Sequence, residues 1–119
     1  VKRKSGDILK FGFSDKPLFE TLIAWNGDQA VGLAVYFSEF STWKGSPGVY
    51  VQDLYVSDRV RGSGLGRQLM ESLIERSRRW GATYCKLSVY GQNEAAMAFY
   101  EHIGFQVSAN ETVLKIDYR

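Results

Sequence analysis

Alternation between apolar and polar residues dominates the first half of the chain. Three segments alternate in this way or are rich in aromatic and β-branched residues, which predicts three strands. The segments are 19–25, 29–37 and 49–56. Asn26-Gly27-Asp28 separates the first two and predicts a hairpin turn, because Asn and Gly tolerate the positive φ that such turns need. A polar loop at 41–48, which contains Pro47, precedes the third strand.

At Arg61 the spacing of apolar residues changes from strand-like to helical. The apolar stripe consists of Leu65, Leu69, Leu73 and Trp80, with Met70 and Ile74 beside it. This spacing predicts an amphipathic helix, and Gly81 follows its last turn as a C-cap. Trp80, and Trp25 in the first strand, are expected to lie in the core.

The last third of the chain predicts a strand, a second helix and a closing pair of strands. The segments are a strand at 83–90, a helix at 93–102, and strands at 105–108 and 112–118. Asn93 is suited to cap the second helix, and Glu94 suits its first turn. The order β-β-β-α-β-α-β-β predicts an α/β fold, a mixed β-sheet flanked by helices.

Composition narrows the class of protein. The length of 119 residues fits one domain, so we expect a single domain over residues 1–119. A formal net charge of +2 argues against a dedicated nucleic-acid binder. One Cys and one His are too few for a Cys/His zinc site, and no metal is expected. No apolar run approaches the roughly 20 residues that span a bilayer, and no signal-peptide pattern opens the chain. We therefore expect a soluble, cytoplasmic protein.

A glycine-rich loop joins the third predicted strand to the first predicted helix. Its sequence is Arg61-Gly62-Ser63-Gly64-Leu65-Gly66. Glycines let a ligand approach the backbone, and the first N–H groups of a helix point outward unpaired, so the loop is suited to a phosphate. The spacing matches neither the dinucleotide-binding G-x-G-x-x-G motif nor the P-loop. Taken alone, the loop is compatible with a phosphate-bearing ligand and with a glycine turn that binds nothing.

Two motifs taken together resemble a known superfamily. Arg61-x-x-Gly64-x-Gly66 opens the first helix, and Asn93-x-x-Ala96-x-x-Phe99-Tyr100 with Gly104-Phe105 follows about 30 residues later. In this order, each after a strand, they resemble the motifs of the GNAT superfamily of N-acetyltransferases, and the resemblance covers roughly residues 19–118. It implies a GNAT-type sheet whose usual first strand and following helices are missing, or are represented only by residues 1–10.

Further segments are similar to the diamine (polyamine) N-acetyltransferase branch of that superfamily. They are Phe11-Gly12-Phe13, Phe40-Ser41-Thr42-Trp43-x-Gly45 and residues 50–56. This similarity implies a small-molecule primary amine as the acceptor, with diamines and polyamines as candidates. A homodimer is compatible with it.

The resemblance also assigns residues to acetyl-CoA, the implied co-substrate. Acetyl-CoA would lie between the strands at 49–56 and 83–90, with its pyrophosphate on the glycine loop. The implied contacts are Leu54, Tyr55, Val56, Arg61, Gly62, Ser63, Gly64, Leu65, Gly66, Arg67, Asn93 and Ala96. Most of them would act through the backbone, so side-chain identity matters little except where glycine is sterically required.

Tyr100 is the catalytic residue that the resemblance implies. It lies two helical turns after Asn93, on the same helix face. A phenol ordinarily has a pKa near 10, so it can donate a proton to the departing CoA thiolate. Without the resemblance, Tyr100 would be interpreted as an ordinary core tyrosine.

Gln52, Asp53 and Trp43 are the candidates for binding the acceptor. The diamine branch carries a carboxylate where this chain has Gln52, and an amide cannot accept the proton that an alkylammonium must lose. Asp53 is expected to face the other side of the strand, because neighbours alternate. The proton acceptor is left open between water leading to Glu39, to Asp53 or to a backbone carbonyl. Trp43 either lines the acceptor site or is an ordinary loop residue.

The sequence as a whole predicts an acetyl-CoA-dependent N-acetyltransferase acting on a small-molecule amine. The alternative is a non-catalytic CoA-binding or interaction module derived from the same fold. A nucleic-acid binder that uses the arginines of residues 59–79 is disfavoured, because no aromatic platform accompanies them. Cys85 is expected to be a small core residue instead of a nucleophile.

Overall fold

A computed structural model describes residues 18–108 and 111–118 of the chain. These residues form two compact units, one that ends at Ser88 and one that begins at Val89. The first unit contains β1 (Glu20–Asn26), β2 (Gln29–Ser41), β3 (Ser46–Val56), a 3-10 turn (Asp58–Val60), α1 (Leu65–Arg79) and β4 (Cys85–Leu87). The second contains α2 (Glu94–Ile103). Phe11-Gly12-Phe13, like the rest of residues 1–17, lies outside the described residues.

The four strands form one sheet in the order β1-β2-β3-β4. Strands β1, β2 and β3 are antiparallel neighbours, whereas β3 and β4 run parallel. In the turn between β1 and β2, Asn26 pairs with Gln29 and Gly27 adopts a φ of 61°. The predicted mixed sheet and the predicted hairpin turn are therefore confirmed.

The hairpin between β2 and β3 is longer than the sequence predicted. Its pairing continues to Ser41 opposite Ser46, which leaves only a turn at 42–45. Pro47, predicted to lie in a loop, is part of β3, where its carbonyl accepts a hydrogen bond of 2.9 Å from the N–H of Thr83. Continued cross-strand pairing explains the difference, because it extends both strands into a segment whose composition is typical of a loop.

Helix α1 packs on one face of the sheet through its apolar stripe. Gly32 in β2 allows the close approach, since a Cβ there would lie 2.8 Å from Cδ1 of Leu69 and 3.3 Å from Cδ2 of Leu65. The buried residues between α1 and the sheet include Ala34, Tyr36, Val49, Val51, Leu69, Met70 and Leu73. Neither α1 nor α2, the two α-helices of the described residues, is long and apolar enough to cross a membrane.

Tyr36 connects β1, β2 and α1 within this core. Its side chain is 5% exposed and hydrogen-bonds with Arg76 of α1 and Glu20 of β1. Burial raises the pKa of the Tyr36 phenol, the nearby Glu20 carboxylate raises it further, and Arg76 acts in the opposite direction. Tyr36 is therefore a protonated, structural hydrogen-bonding group at neutral pH.

Trp25 and Trp80 are not core residues, so that prediction is wrong. Trp25 is 61% exposed and Trp80 is 45% exposed. Strand β1 is an edge strand, and its register with β2 shifts between Ala24 and Trp25, which interrupts the regular alternation. Trp80 is the C-cap of α1 and lies beyond the helical part of the apolar stripe.

The predicted closing pair of strands is also wrong for the residues that the structure describes. Residues 105–108 and 111–118 form no strand. Their exposed apolar side chains are Val107, Val113, Leu114, Ile116 and Tyr118, at 71–92% exposure. Alternation produces a strand only where another strand supplies hydrogen bonds, and an isolated pair of strands is marginal in water.

Candidate functional site

Strands β3 and β4 are paired over only part of their lengths. The parallel pairs are Val49 with Cys85, Tyr50 with Lys86 and Val51 with Leu87. Strand β4 ends at Leu87, earlier than predicted, whereas β3 continues to Val56. Leu54, Tyr55 and Val56 thus lie beyond the last pair, and among the described residues no strand covers their β4 side.

A β-bulge at Gln52 marks the point where β3 and β4 separate. On its β2 side, β3 pairs Val51 with Tyr36 and Asp53 with Val35, so Gln52 is the extra residue. A bulge of this kind bends its strand and re-aims the side chains that follow. The bend and the end of β4 pairing therefore coincide within one residue.

The predicted orientation of Asp53 is wrong, because the bulge places its side chain on the same face as Gln52. Asp53 lies opposite Val35, and Tyr50 lies opposite Phe37. Val35 and Phe37 are two positions apart on β2 and share the face opposite α1. Asp53 and Tyr50 therefore share that face too, and Gln52, two residues after Tyr50, lies on it as well. We call this side of the sheet the far face.

A hydrogen bond that the sequence did not predict joins the two strands where they separate. The hydroxyl oxygen of Tyr50 lies 2.6 Å from that of Ser88. The Tyr50 ring stacks on Phe37, with the ring centroids 5.2 Å apart. The partners come from β2, β3 and the residue that follows β4, so no local motif signals these contacts. Together they fix the Tyr50 hydroxyl beside the bulge.

The glycine loop leaves the start of α1 uncapped. Gly62 and Gly64 have φ angles of 84° and 86°, in the left-handed region that favours glycine. A Cβ at either position would have no atom within 4 Å, so both backbones are approachable. Gly64 is the N-cap of α1, and no side chain caps the helix there. Uncapped N–H groups at an accessible helix start suit a phosphate.

Contacts with the end of β3 hold the loop in place. The N–H of Ser63 donates to the carbonyl of Val60 at 3.2 Å. Arg61 Nε donates to the carbonyl of Val56 at 3.4 Å, and its Nη1 pairs with Asp58 at 2.9 Å. The ion pair is exposed, so it lowers the local positive charge but adds little stability.

The remaining predicted loop contacts form the first turn of α1. They are Leu65, Gly66 and Arg67. Arg67 Nε pairs with Glu71 at 3.5 Å, and both side chains are exposed. The guanidinium therefore stays at the solvent side of the helix start, within the segment predicted to bind the pyrophosphate.

Helix α2 carries the second motif within the second unit. Asn93 is its N-cap, and the side-chain oxygen accepts a hydrogen bond of 3.1 Å from the N–H of Ala96, which confirms the predicted cap. Tyr100 is half-buried, and its ring meets Phe99 and Phe105 edge-on, at centroid distances of 5.1 and 5.6 Å. These neighbours fix the plane of the Tyr100 ring.

Trp43 lies in the turn at 42–45 and is 96% exposed. It has no role in the core. Its assignment to acceptor binding stays a prediction.

Cys85 is a half-buried thiol on the α1 side of the sheet. It lies opposite Val49 in the β3–β4 pairing. Burial raises the pKa of the Cys85 thiol to about 12. Because the thiolate is the nucleophilic form, this shift disfavours a nucleophilic role, while the half-buried side chain lies at the margin of the core.

The glycine loop and the α2 motif fall within one family profile. The sequence matches the acetyltransferase (GNAT) family over residues 3–105. The chain belongs to the GNAT family. Members of this family are acyltransferases and use acetyl-CoA as their co-substrate. The resemblance found in the two sequence motifs is thereby confirmed.

Individual relatives of this GNAT chain carry amine acetyltransferase names. Thialysine N-epsilon-acetyltransferase of Bos taurus is 31% identical over 103 residues, which cover 80% of this chain and 60% of that protein. Spermidine/spermine N(1)-acetyltransferase-like protein 1 of Homo sapiens is 30% identical over 107 residues, 84% of this chain and 15% of that protein. The chain thus spans about 60% of the length of the thialysine enzyme that it matches.

A solved structure has the same fold as this chain. An integron cassette protein from the mobile metagenome of V. cholerae superimposes with a TM-score of 0.84 at 25% identity, covering 98% of this chain and 74% of that chain. The predicted α/β class is therefore confirmed.

Native Cys85 should resist alkylation at neutral pH. A pKa of about 12 against an ordinary value of 9.0 lowers the thiolate fraction roughly 10³-fold, since each pKa unit is a factor of ten. Iodoacetamide labelling at pH 8, followed by mass spectrometry, should be slow for the folded chain and fast in denaturant. The pKa of the Cys85 thiol is higher in the folded chain than in the unfolded chain, so burial of the neutral thiol favours folding. This stabilisation is fully present below about pH 9 and is lost as the pH rises toward 12. Equal labelling rates in the two states would contradict the burial of this thiol.

Proposed function

We propose that the chain transfers the acetyl group of acetyl-CoA to a primary amine of a small molecule. The observation that carries the proposal is the separation of β3 from β4 beside the uncapped start of α1. When bound, acetyl-CoA supplies a thioester that an amine can attack. The diamine and polyamine class of acceptors is supported by the resemblance of residues 40–56 to that branch and by the relatives' names.

In this proposal the backbone binds the co-substrate. The N–H groups of the glycine loop and of the first turn of α1 take the pyrophosphate. The exposed edge of β3 at Leu54, Tyr55 and Val56 offers backbone groups to the pantetheine arm, as a neighbouring strand would use them. Asn93 and Ala96 are assigned to the same arm by the family motif.

Tyr100 is the proposed proton donor. Attack by the amine expels a thiolate, which a phenol can protonate or hydrogen-bond. The assignment rests on the family motif. The edge-on contacts with Phe99 and Phe105 support it, because they hold the ring in one orientation within its unit.

Asp53 is the proposed proton acceptor, acting through water, for the incoming ammonium. Gln52 cannot take a proton, and the bulge puts Asp53 on the same face as Gln52. Glu39 is the other candidate. It lies four positions further along β2 than Val35, the residue that pairs with Asp53. Its carboxylate already accepts a hydrogen bond from Tyr84 and forms an ion pair with Lys86. Gln52 and the exposed Trp43 are proposed to contact the acceptor.

The proposed working form is a single acetyltransferase domain over residues 1–119, acting in the cytoplasm as a homodimer. The alternative is a non-catalytic CoA-binding module derived from the same fold. Thiol release from acetyl-CoA with a panel of amines separates the two, because only an enzyme releases CoA in proportion to the amine.

Acetyl-CoA should raise the melting temperature, and Gly64→Asp should abolish this shift. A hundredfold excess over Kd stabilises the native state by about 2.7 kcal/mol. An Asp at 64 places a carboxylate where the phosphate is proposed to bind. Gly27→Asp is the matched control, because Gly27 is also left-handed and open but lies in the β1–β2 turn. Full acetyl-CoA binding by Gly64→Asp would overturn the loop assignment.

Tyr100→Phe should separate binding from chemistry. The ring and its aromatic contacts remain while the proton donor is lost. We expect acetyl-CoA affinity within a few fold of wild type and turnover lower by roughly 10²-fold, the scale of a general acid. Tyr118→Phe, 92% exposed in the same unit, is the control. Undiminished turnover by Tyr100→Phe would assign the residue to packing.

Asp53→Asn should lower kcat/KM by roughly 10²-fold near neutral pH, where the amine is almost wholly protonated, and by less near pH 10, because the amide cannot take the proton. Glu39→Gln tests the rival acceptor, and Asp28→Asn, in the exposed β1–β2 turn, is the control. Stopped assays from pH 6 to 10 with one diamine give the three profiles. A larger loss in Glu39→Gln than in Asp53→Asn would transfer the role to Glu39.

A further inference from the structure

Two contacts between side-chain hydroxyls join β3 to the segment that contains β4, one at each end of their pairing. At one end Ser46 Oγ lies 2.7 Å from Thr83 Oγ1. At the other end the Tyr50 hydroxyl lies 2.6 Å from Ser88 Oγ. The three residue pairs of β3 and β4 lie between the two contacts. We call Ser46–Thr83 the closed-end pair, and Tyr50–Ser88 the open-end pair, because the strands separate beside it.

The backbone supports the two ends differently. At the closed end the N–H of Thr83 also donates to the carbonyl of Pro47 at 2.9 Å, so the two backbones are bonded there without the hydroxyls. At the open end, backbone pairing of the described strands stops at Val51 and Leu87. Ser88 is the next residue, so the open-end pair lies just past the last backbone pair. Its hydroxyls therefore do work that the backbone does at the closed end.

The Tyr50 side chain reaches diagonally across the two strands. Its backbone pairs with Lys86, whereas its hydroxyl meets Ser88 two residues further on, about 7 Å along the strand. The Tyr50 ring stacks on Phe37, with an angle of 27° between the ring planes. Stacking gives the ring a preferred plane. The phenol is thus a supported arm that holds Ser88 at a set distance from β3.

Ser88 depends on this bond for its position. The residue is exposed, so burial does not hold it in place. Without the bond it can move onto the free edge of β3 or away from that edge. The first movement would occupy backbone groups at Leu54 to Val56, and the second would widen the opening between the strands. Either movement lowers the fraction of free protein that is ready to bind at this edge, and the apparent Kd rises by the same factor.

We infer that Tyr50 and Ser88 are positioning residues for acetyl-CoA, which hold the opening between β3 and β4 at the width that binding needs. They act through the position of the strands and take no part in the proton transfers. This inference rests on the proposed function, because it requires acetyl-CoA to bind along the free edge of β3. It adds a side-chain requirement to a site whose other proposed contacts on β3 are made by the backbone.

The test compares Ser88→Ala with Ser46→Ala, since each removes one hydroxyl from one of the two pairs. Isothermal titration calorimetry gives Kd for acetyl-CoA without any need for turnover. We expect Ser88→Ala to raise Kd roughly 2- to 10-fold, the range that one net hydrogen bond contributes. Ser46→Ala should leave Kd unchanged. Both contacts are exposed, so a general loss of stability would affect the two variants alike.

Tyr50→Phe and Ser88→Thr test the bond from both of its sides. Tyr50→Phe keeps the stacked ring and should raise Kd as much as Ser88→Ala does. The double variant should bind no more weakly than either single variant, because the same bond is lost in all three. Ser88→Thr keeps a hydroxyl and should retain the wild-type Kd. In assays with an amine, kcat at saturating acetyl-CoA should be retained while KM for acetyl-CoA rises.

Two results would contradict these expectations, and they differ in what they overturn. Wild-type Kd in both Ser88→Ala and Tyr50→Phe, or an equal rise in Ser46→Ala, would overturn the inference and leave the proposed function intact. Failure of the wild-type protein to bind acetyl-CoA would overturn the proposed function, and the inference with it.

Discussion

The early end of β3–β4 pairing is the constraint on which the first unit depends. Parallel strands gain a hydrogen bond with each further pair, and each bond contributes about 1 kcal/mol net. Pairing nevertheless stops at Val51 and Leu87, where the Gln52 bulge bends β3 and the Tyr50–Ser88 hydrogen bond joins the two strands. The edge of β3 from Leu54 to Val56 keeps its hydrogen-bonding capacity for something other than a strand. The glycine loop follows that edge after the short 3-10 turn at Asp58–Val60, so backbone donors of both segments lie within about ten residues of one another along the chain.

The same bulge determines which side chains accompany that edge. Apolar residues of β3 face α1 on both sides of it, at Val49 and Val51 before and at Leu54 and Val56 after. An unbroken strand would have turned Asp53 toward α1, where burial of a carboxylate among apolar side chains is costly. The extra residue lets the strand keep its apolar face in the core and keep Gln52 and Asp53 together on the far face.

Local features of the fold could be predicted from the sequence, and non-local ones could not. The Gly27 turn, the Asn93 cap and the glycine loop follow from residue-level preferences that act within a few positions. The bulge did leave a signal, because apolar residues occur at 49, 51, 54 and 56 and so change their phase at Gln52. The prediction assumed continuous alternation through β3. This assumption concealed the bulge and placed the Asp53 side chain on the wrong face of the sheet. The Tyr50–Ser88 and Tyr84–Glu39 hydrogen bonds join residues more than 35 positions apart, and no periodicity encodes such pairs. The prediction of a strand at residues 112–118 was wrong for a different reason. Their pattern is strand-like, but among the described residues no strand pairs with them.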